Sequence, residues 1–191
     1  MQPTRENAMA LLTEFTKSDS LIKHALAVEA AMRAYARKFG EDEEKWGVVG
    51  LIHDFDYEQN PTWETHVYEG IKILRERGWP DEIIDAVASH ADYMKIPRDT
   101  PLKKVIFAVD ELTGFISAVA LVRPTKSIMD VEPSAVRKKM KDKAFARAVN
   151  REDIVKGAEE LGLPLEEHIG FVIKAMQSVA RQLGLDGSTA K

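Results

Sequence analysis

The sequence contains no cysteine, and this absence excludes several kinds of chemistry. Without thiols the chain can form neither disulfides nor thiolate metal sites, and it has no cysteine nucleophile. A metal site in this protein must therefore use nitrogen and oxygen ligands. The sequence also lacks a glycine-rich phosphate loop and a Gly-x-Ser-x-Gly nucleophile elbow, so two common ways of building a phosphate or ester site are missing.

Long uninterrupted apolar runs are missing too. The first fifteen residues include the charged side chains of Arg5 and Glu6, unlike the apolar core of a signal peptide. The most apolar stretch, residues 105–122, is interrupted by Asp110 and Glu111, which favours a buried helix over a membrane span. We therefore expect a cytoplasmic protein with no membrane partner.

Excess positive charge is also absent. The formal net charge is −4 and the pI is about 5.8, so the whole chain has no general attraction for nucleic acid. The run Arg137-Lys138-Lys139 is distributed around its predicted helix and is typical of a solvated surface. We expect no nucleic-acid partner, and any anion site must come from a local group of lysines and arginines.

Apolar residues recur at helical spacing along nearly the whole chain, and no run alternates as a strand would. Gly40 and the pair Thr100-Pro101 mark a helix end and a helix start. Without a repeat or a flexible linker, we predict an all-α, compact single-domain helical bundle over residues 1–185. The terminal segment 186–191 is predicted to be disordered. In the last third, the pattern predicts helices at about 133–149, 150–162 and 164–183, the second of them capped by Asn150 and ended by Gly162.

Several polar groups fall on the inward faces of separate predicted helices. His24, His53 and His90 lie on apolar stripes, and His66 lies at the start of another helix. Asp110 interrupts an apolar run in which a lone ionised carboxylate would be costly to bury. Each residue alone is more typical of a hydrogen-bonded core position. Together they favour one metal site, because a single ion would satisfy all of them with ligands that suit Fe, Mn, Zn, Co or Ni.

The adjacent pair His53-Asp54 restricts where such an ion can lie. Neighbouring residues of a helix point about 100° apart, so they share no face. Both can contact one ion only if it lies beside the helix, between their two directions. The second carboxylate oxygen of Asp54 could then bridge to a second ion.

The order of these residues resembles a known signature. His24, then His53-Asp54 in "GLIHDFD", then Asp110 in "FAVDELTG" is similar to the H…HD…D pattern of the HD-domain superfamily. The resemblance covers about residues 20–120. It implies a compact helical bundle with the metal between helices, these four residues as ligands, and Asp54 as the residue on which catalysis depends. Many members are phosphohydrolases, a minority are di-iron oxygenases, and some have no known substrate.

Two more histidines resemble the binuclear version of the pattern. "THVYEGIKIL" is similar to the His-x-x-x-Gly helix start of cyclic-dinucleotide phosphodiesterases, and "ASHADY" has His90 where those proteins supply another histidine. The resemblance implies a second ion bound by His66 and His90 and bridged by Asp54. The alternative is that both contact substrate phosphate or donate protons. The paired histidines and the Gly-Tyr-Pro loop of those enzymes are absent, so we do not expect a cyclic-dinucleotide substrate.

These features predict a metal-dependent phosphohydrolase that cleaves a phosphate ester of a nucleotide or a related small molecule. A divalent ion lowers the pKa of water from ~15.7 to about 7 and so supplies hydroxide at neutral pH. Two alternatives stay open: a di-iron oxidase or oxygenase, and a metal-stabilised binding module without turnover. The oligomeric state is also open. Four cations near the signature are predicted to bind the phosphate: Lys95, Arg98, Arg123 and Lys126.

Overall fold

A computed structural model describes residues 2–188 of the chain. Within these residues every extended regular element is a helix, with ten α-helices and two short 3₁₀ turns. The one β-type contact among them is an isolated antiparallel bridge between Ser127 and Asp186. The all-α prediction is confirmed. None of the described helices is long and apolar enough to cross a membrane.

The chain divides into two compact units, and the boundary follows Phe107. This boundary falls inside the helix Pro101–Leu121, which explains why the sequence shows no linker there. The single-domain organisation over residues 1–185 stays a prediction.

The first unit contains five complete helices and the beginning of a sixth. A 3₁₀ turn at Asp92–Met94 follows the fifth. In chain order the helices are α1 (Arg5–Phe15), α2 (Asp19–Phe39), α3 (Glu43–Ile52), α4 (Tyr68–Glu76), α5 (Asp81–Ser89) and α6 (Pro101–Leu121).

Helices α2 and α3 pack closely against each other. Gly40 ends α2 in the left-handed conformation (φ 71°), as predicted, and only three residues separate the two helices. The approach requires a glycine at position 50, because a Cβ there would lie 2.9 Å from the Glu29 backbone. The short connection makes the helices antiparallel, so the beginning of α2 lies beside the end of α3.

The loop between α3 and α4 is fixed to the turn between α1 and α2. The Phe55 ring packs edge-on against Phe15, with 5.3 Å between centroids. The buried Thr16 hydroxyl donates to the Phe55 carbonyl at 3.0 Å, and the Glu58 carboxylate accepts the Ser18 N–H at 2.9 Å. These contacts fix the start of the loop, immediately after the His-Asp pair.

The second unit contains the remainder of α6, a 3₁₀ turn at Ile128–Asp130 and four further helices. The Asn150 side chain caps α8 by accepting the Glu152 N–H at 3.0 Å, as the sequence predicts. His168, which was not assigned to the site, is buried and its Nε2 lies 2.9 Å from the Ala108 carbonyl. The four helices are α7 (Pro133–Met140), α8 (Arg151–Glu160), α9 (Leu165–Gln177) and α10 (Ala180–Leu183).

The predicted helix over 133–149 is wrong beyond Met140, where α7 ends. After it the Asp142 carboxylate accepts the Ala144 N–H at 3.0 Å, and Ala146 takes a positive φ of 41°. The Arg151 guanidinium donates to the Ala146 carbonyl at 2.9 Å and to further carbonyls of this segment. Side chains thus replace the hydrogen bonds that a helix would have made.

The last predicted helix, 164–183, is also interrupted. Helix α9 ends at Gln177, where the Ser178 hydroxyl donates to the Ala175 carbonyl at 2.6 Å in competition with the backbone. The predicted disordered tail starts with residues that have a defined position, since Asp186 bridges to Ser127. Residues 189–191 of that prediction lie outside the described residues.

Candidate metal centre

One edge of the candidate site is formed where α2 begins and α3 ends. His24 lies in the second turn of α2, and His53 caps the end of α3 with Asp54 directly after it. One nitrogen of each histidine and one oxygen of Asp54 lie within 4.8 Å of one another. Asp54 Oδ2 is 3.9 Å from His24 Nε2 and 3.6 Å from His53 Nε2. The pair is at a helix end, which lets both side chains reach the same place.

The other oxygen of Asp54 faces a second pair of histidines. Oδ1 lies 3.0 Å from His66 Nε2 and 3.1 Å from His90 Nε2. His90 caps the end of α5, whereas His66 lies in the turn two residues before α4, so it does not open that helix as the sequence suggested. The two oxygens of one carboxylate therefore face two different histidine pairs, which is the arrangement of a bridging ligand.

The tautomers of two histidines follow from their second ring nitrogens. His53 Nδ1 lies 2.8 Å from the Gly50 carbonyl, and His90 Nδ1 lies 2.6 Å from the Val87 carbonyl. A carbonyl can only accept, so each Nδ1 donates a hydrogen. Each Nε2 therefore carries the exchangeable proton of its ring, and loss of that proton leaves the Nε2 lone pair in the form that binds a metal ion.

His66 is oriented by a carboxylate that the sequence analysis missed. Asp56 is 1% exposed, and its Oδ1 lies 3.2 Å from His66 Nδ1. Carboxylates behind metal-binding histidines fix the ring and raise its basicity. In the sequence, Asp56 lies in a polar segment that is typical of a turn and gives no signal of a role beside the metal. Only the path of the loop between α3 and α4 brings it to His66.

Val67 follows His66 with an unusual backbone, φ 67° and ψ −45°, although it is β-branched and 1% exposed. Such a conformation costs roughly 1–3 kcal/mol and persists only where the surroundings impose it. Here the Asp56 Oδ2 accepts the Val67 N–H at 3.1 Å. Gly70 makes room for this carboxylate, because a Cβ at position 70 would lie 2.9 Å from Asp56 Cγ.

The charged groups of the centre strongly shift one another's pKa values. Burial opposes ionisation of Asp54, but neighbouring His53 and hydrogen bonds from His66 and His90 outweigh it and hold the Asp54 pKa well below its usual value. Burial likewise lowers the pKa of His66, but the carboxylates of Asp54 and Asp56 outweigh it and raise the pKa to about 10. A group of bases around an ionised carboxylate attracts a cation, and a metal ion can replace the proton.

Tyr93 supports the same region. Its hydroxyl donates to the His66 carbonyl at 3.2 Å. Burial, together with the negative charges of Asp56 and Asp54, raises the pKa of Tyr93 to about 12. The hydroxyl therefore stays protonated and acts as a donor at neutral pH.

The donor atoms fit a divalent metal ion. Ligand atoms about 2.0–2.2 Å from one ion are roughly 3–3.5 Å from one another. The distances from the Asp54 carboxylate oxygens to Nε2 of His66 and His90 fall in this range. The distances to Nε2 of His24 and His53 are slightly longer. The nitrogen and oxygen set suits Fe, Mn, Zn, Co or Ni.

Asp110, the remaining predicted ligand, belongs to the second unit and is half-buried on α6. Its backbone carbonyl accepts the Thr113 hydroxyl at 2.9 Å. Its role as a ligand stays a prediction that rests on the sequence pattern.

The predicted phosphate-binding cations differ in their surroundings. Lys95 is exposed and closes the 3₁₀ turn with a left-handed backbone (φ 56°). The Arg98 side chain is 10% exposed, donates to Asp92 at 3.1 Å and lies 3.7 Å above the Phe107 ring. Arg123 and Lys126 follow α6 in the second unit, both half-buried. Phosphate binding by these four residues stays a prediction.

Comparison with known proteins identifies the family. Residues 21–114 match the HD domain. The chain is 26% identical to Ribonuclease Y of Oleidesulfovibrio alaskensis over 139 residues, and this aligned segment covers 71% of this chain and 26% of that protein. Over 76 residues it is 36% identical to Ribonuclease Y of Deinococcus radiodurans, or 39% of this chain and 13% of that protein. The chain thus spans about a quarter or less of these relatives, and no solved structure matches it. The segment 21–114 of this chain, just under half of its length, thus belongs to the HD-domain family.

Proposed function

We propose that this protein is a metal-dependent phosphohydrolase that cleaves a small phosphate ester. The observation that carries the proposal is the position of Asp54, whose two oxygens face two pairs of histidines. The HD domain, a domain of metal-dependent phosphohydrolases, supports the same reaction class.

The residues divide into two ligand groups. His24, His53 and Asp54 would hold one ion, with Asp110 added from the sequence pattern and the family match. Asp54, His66 and His90 would hold a second. A divalent ion bound there supplies nucleophilic hydroxide at neutral pH and neutralises charge on the phosphate.

The chain itself prepares the site for the cation and the substrate. Asp54 is ionised, and the carbonyls behind His53 and His90 keep the Nε2 atoms of both rings directed towards it. Asp56 holds His66 in line with the same carboxylate. If the site takes one ion only, His66 is not a ligand, and its protonated ring could donate a hydrogen bond to the phosphate or a proton to the leaving group.

Phosphate binding requires cations in addition to the metal. We propose that Lys95, Arg98, Arg123 or Lys126 supplies them, whereas the basic residues of α7 do not. Alanine variants of these four should weaken substrate binding or turnover, and Lys138→Ala, at an exposed position of α7, is the matched control. Unchanged kinetic constants in all four variants would contradict this assignment.

Two other activities would be detected by the substrate screen described below. The relatives are named ribonucleases, so RNA is a second candidate substrate class, although the match covers only about a quarter or less of each relative. A di-iron oxidase or oxygenase is favoured by one observation, the second histidine pair on Asp54.

The experiment is a substrate screen on protein loaded separately with Mn, Fe, Co, Ni and Zn. It includes phosphomonoesters, phosphodiesters and a short single-stranded RNA, with oxygen uptake recorded for the iron form. We expect ester hydrolysis that requires the metal and is lost in Asp54→Asn. Oxygen uptake without hydrolysis would support the oxygenase. A loaded protein inactive in every assay would support the metal-stabilised binding module.

A further inference from the structure

Two tyrosines contact His66, and a third tyrosine lies beside one of them. The Tyr57 ring lies edge-on to the His66 ring, with 5.1 Å between centroids. Tyr93 is hydrogen-bonded to the His66 backbone, and the Tyr68 ring lies 6.4 Å from the Tyr93 ring at 37°. The aromatic group Tyr57, Tyr68 and Tyr93 is therefore continuous with the second ligand group of Asp54.

The exposure of Tyr68 has no explanation in the packing of its helix. Tyr68 is 49% exposed, whereas the buried face of α4 consists of Gly70, Ile71 and Leu74. Leaving a large aromatic ring in water forgoes the free energy that its burial would give. An exposed aromatic ring beside a polar site is available to a ligand, because aromatic side chains offer a large apolar face with a polar tip.

We propose that the Tyr68 ring, supported by Tyr93, stacks on a planar ring of the substrate, so that this centre prefers phosphate esters that carry such a ring over those that do not. This inference rests on the proposed function and specifies its substrate. Tyr68 is a specificity-determining residue in this scheme, and it takes no part in the hydrolytic step.

The ring geometry defines how a base would bind. Stacked carbon atoms lie about 3.5–4.0 Å apart, so a base between two parallel rings needs roughly 7–8 Å. The centroids of Tyr68 and Tyr93 are 6.4 Å apart and their planes are tilted, which is too close for a base between them. The base therefore stacks on the open face of Tyr68. Aromatic stacking accepts every base, so we expect little discrimination among the four.

The test compares two phosphomonoesters, adenosine 5′-monophosphate and glycerol 3-phosphate. Their binding to Mn-loaded protein is measured by calorimetry, and where turnover is detected each ester is replaced by its phosphonate analogue, in which carbon replaces the bridging oxygen. The variants Tyr68→Ala and Tyr68→Phe retain Asp54 and therefore both ligand groups. The control is Phe39→Ala, which removes an aromatic ring of similar exposure, 40%, fifteen residues after His24 on α2 and so about 22 Å along the helix.

We expect Tyr68→Ala to weaken binding of adenosine 5′-monophosphate by about 5- to 150-fold, the usual effect of losing one stacked base. Glycerol 3-phosphate should bind as before, because it has no ring. Tyr68→Phe should retain the affinity, and Phe39→Ala should change neither ligand. An equal loss for both ligands, or no loss for the nucleotide, would overturn the inference. Failure of the proposed function would appear separately, as normal binding without hydrolysis in the wild-type protein.

Discussion

Asp56→Asn is the substitution that most directly tests how the centre is built. The asparagine has the shape of the aspartate, and its carbonyl oxygen can still accept the Val67 N–H, now 3.1 Å from Oδ2. The amide group would then face His66 Nδ1, where a carboxylate oxygen now lies at 3.2 Å. An NH₂ group donates, so His66 would have to accept at Nδ1 and carry its hydrogen on Nε2. That hydrogen points towards Asp54, where the metal ion should bind.

The expected effect is a loss of about 10- to 100-fold in affinity for the ion held by His66 and His90, equal to roughly 1.4–2.7 kcal/mol. The ion held by His24 and His53 should bind as in the wild type. Competition with a chelator of known affinity, followed by calorimetry, measures both constants.

Asp99→Asn provides the control for Asp56→Asn. It removes an exposed carboxylate that pairs with Lys103 at 3.1 Å, and an exposed pair of this kind contributes about 0–1 kcal/mol. Metal affinity should not change in this variant. Wild-type affinity for both ions in Asp56→Asn would refute the role that we assign to this carboxylate.

Further predictions concern the number of ions, the protons and the backbone. His66→Ala and His90→Ala should each lose about one ion by elemental analysis, whereas full metal content in both would indicate a single ion and a role in phosphate binding or proton transfer. Because the pKa of His66 is about 10, ion binding at pH 7 should release its proton, and affinity should rise up to about tenfold per pH unit towards pH 10; calorimetry in buffers of different ionisation enthalpy would detect this release. In urea unfolding, Val67→Gly should lower the free energy of unfolding by at least about 1 kcal/mol less than Val131→Gly does. The reason is that relief of roughly 1–3 kcal/mol of backbone strain at position 67 offsets the lost burial. Equal losses in the two glycine variants would contradict the strain at position 67.

Local signals in the sequence were sufficient for the fold class and for several helix ends. The left-handed glycine at position 40 and the cap at Asn150 depend only on the residues around them, so both were predicted. Long-range contacts were not predictable in this way. After α7 ends at Met140, Arg151, eleven residues later, binds the carbonyls of Asp142 and Phe145, which a longer helix would have used. Helical spacing shows which face of a segment is buried, but not which distant side chain competes for its backbone.

The same division holds for the metal centre. The placement of His24, His53 and Asp110 in apolar stretches of separate predicted helices was enough to predict a metal site, because inward polar groups need a common partner. The sequence also suggested His66 and His90, without deciding between a second ion and the substrate. The tertiary structure decided that the two oxygens of Asp54 face different histidine pairs, and it added Asp56, Tyr68 and Tyr93. These positions depend on the path of the loop between α3 and α4, which follows from contacts with residues some forty positions earlier in the chain, such as the Thr16 hydroxyl on the Phe55 carbonyl. A sequence pattern records spacing along one element, whereas these distances are fixed by packing between elements.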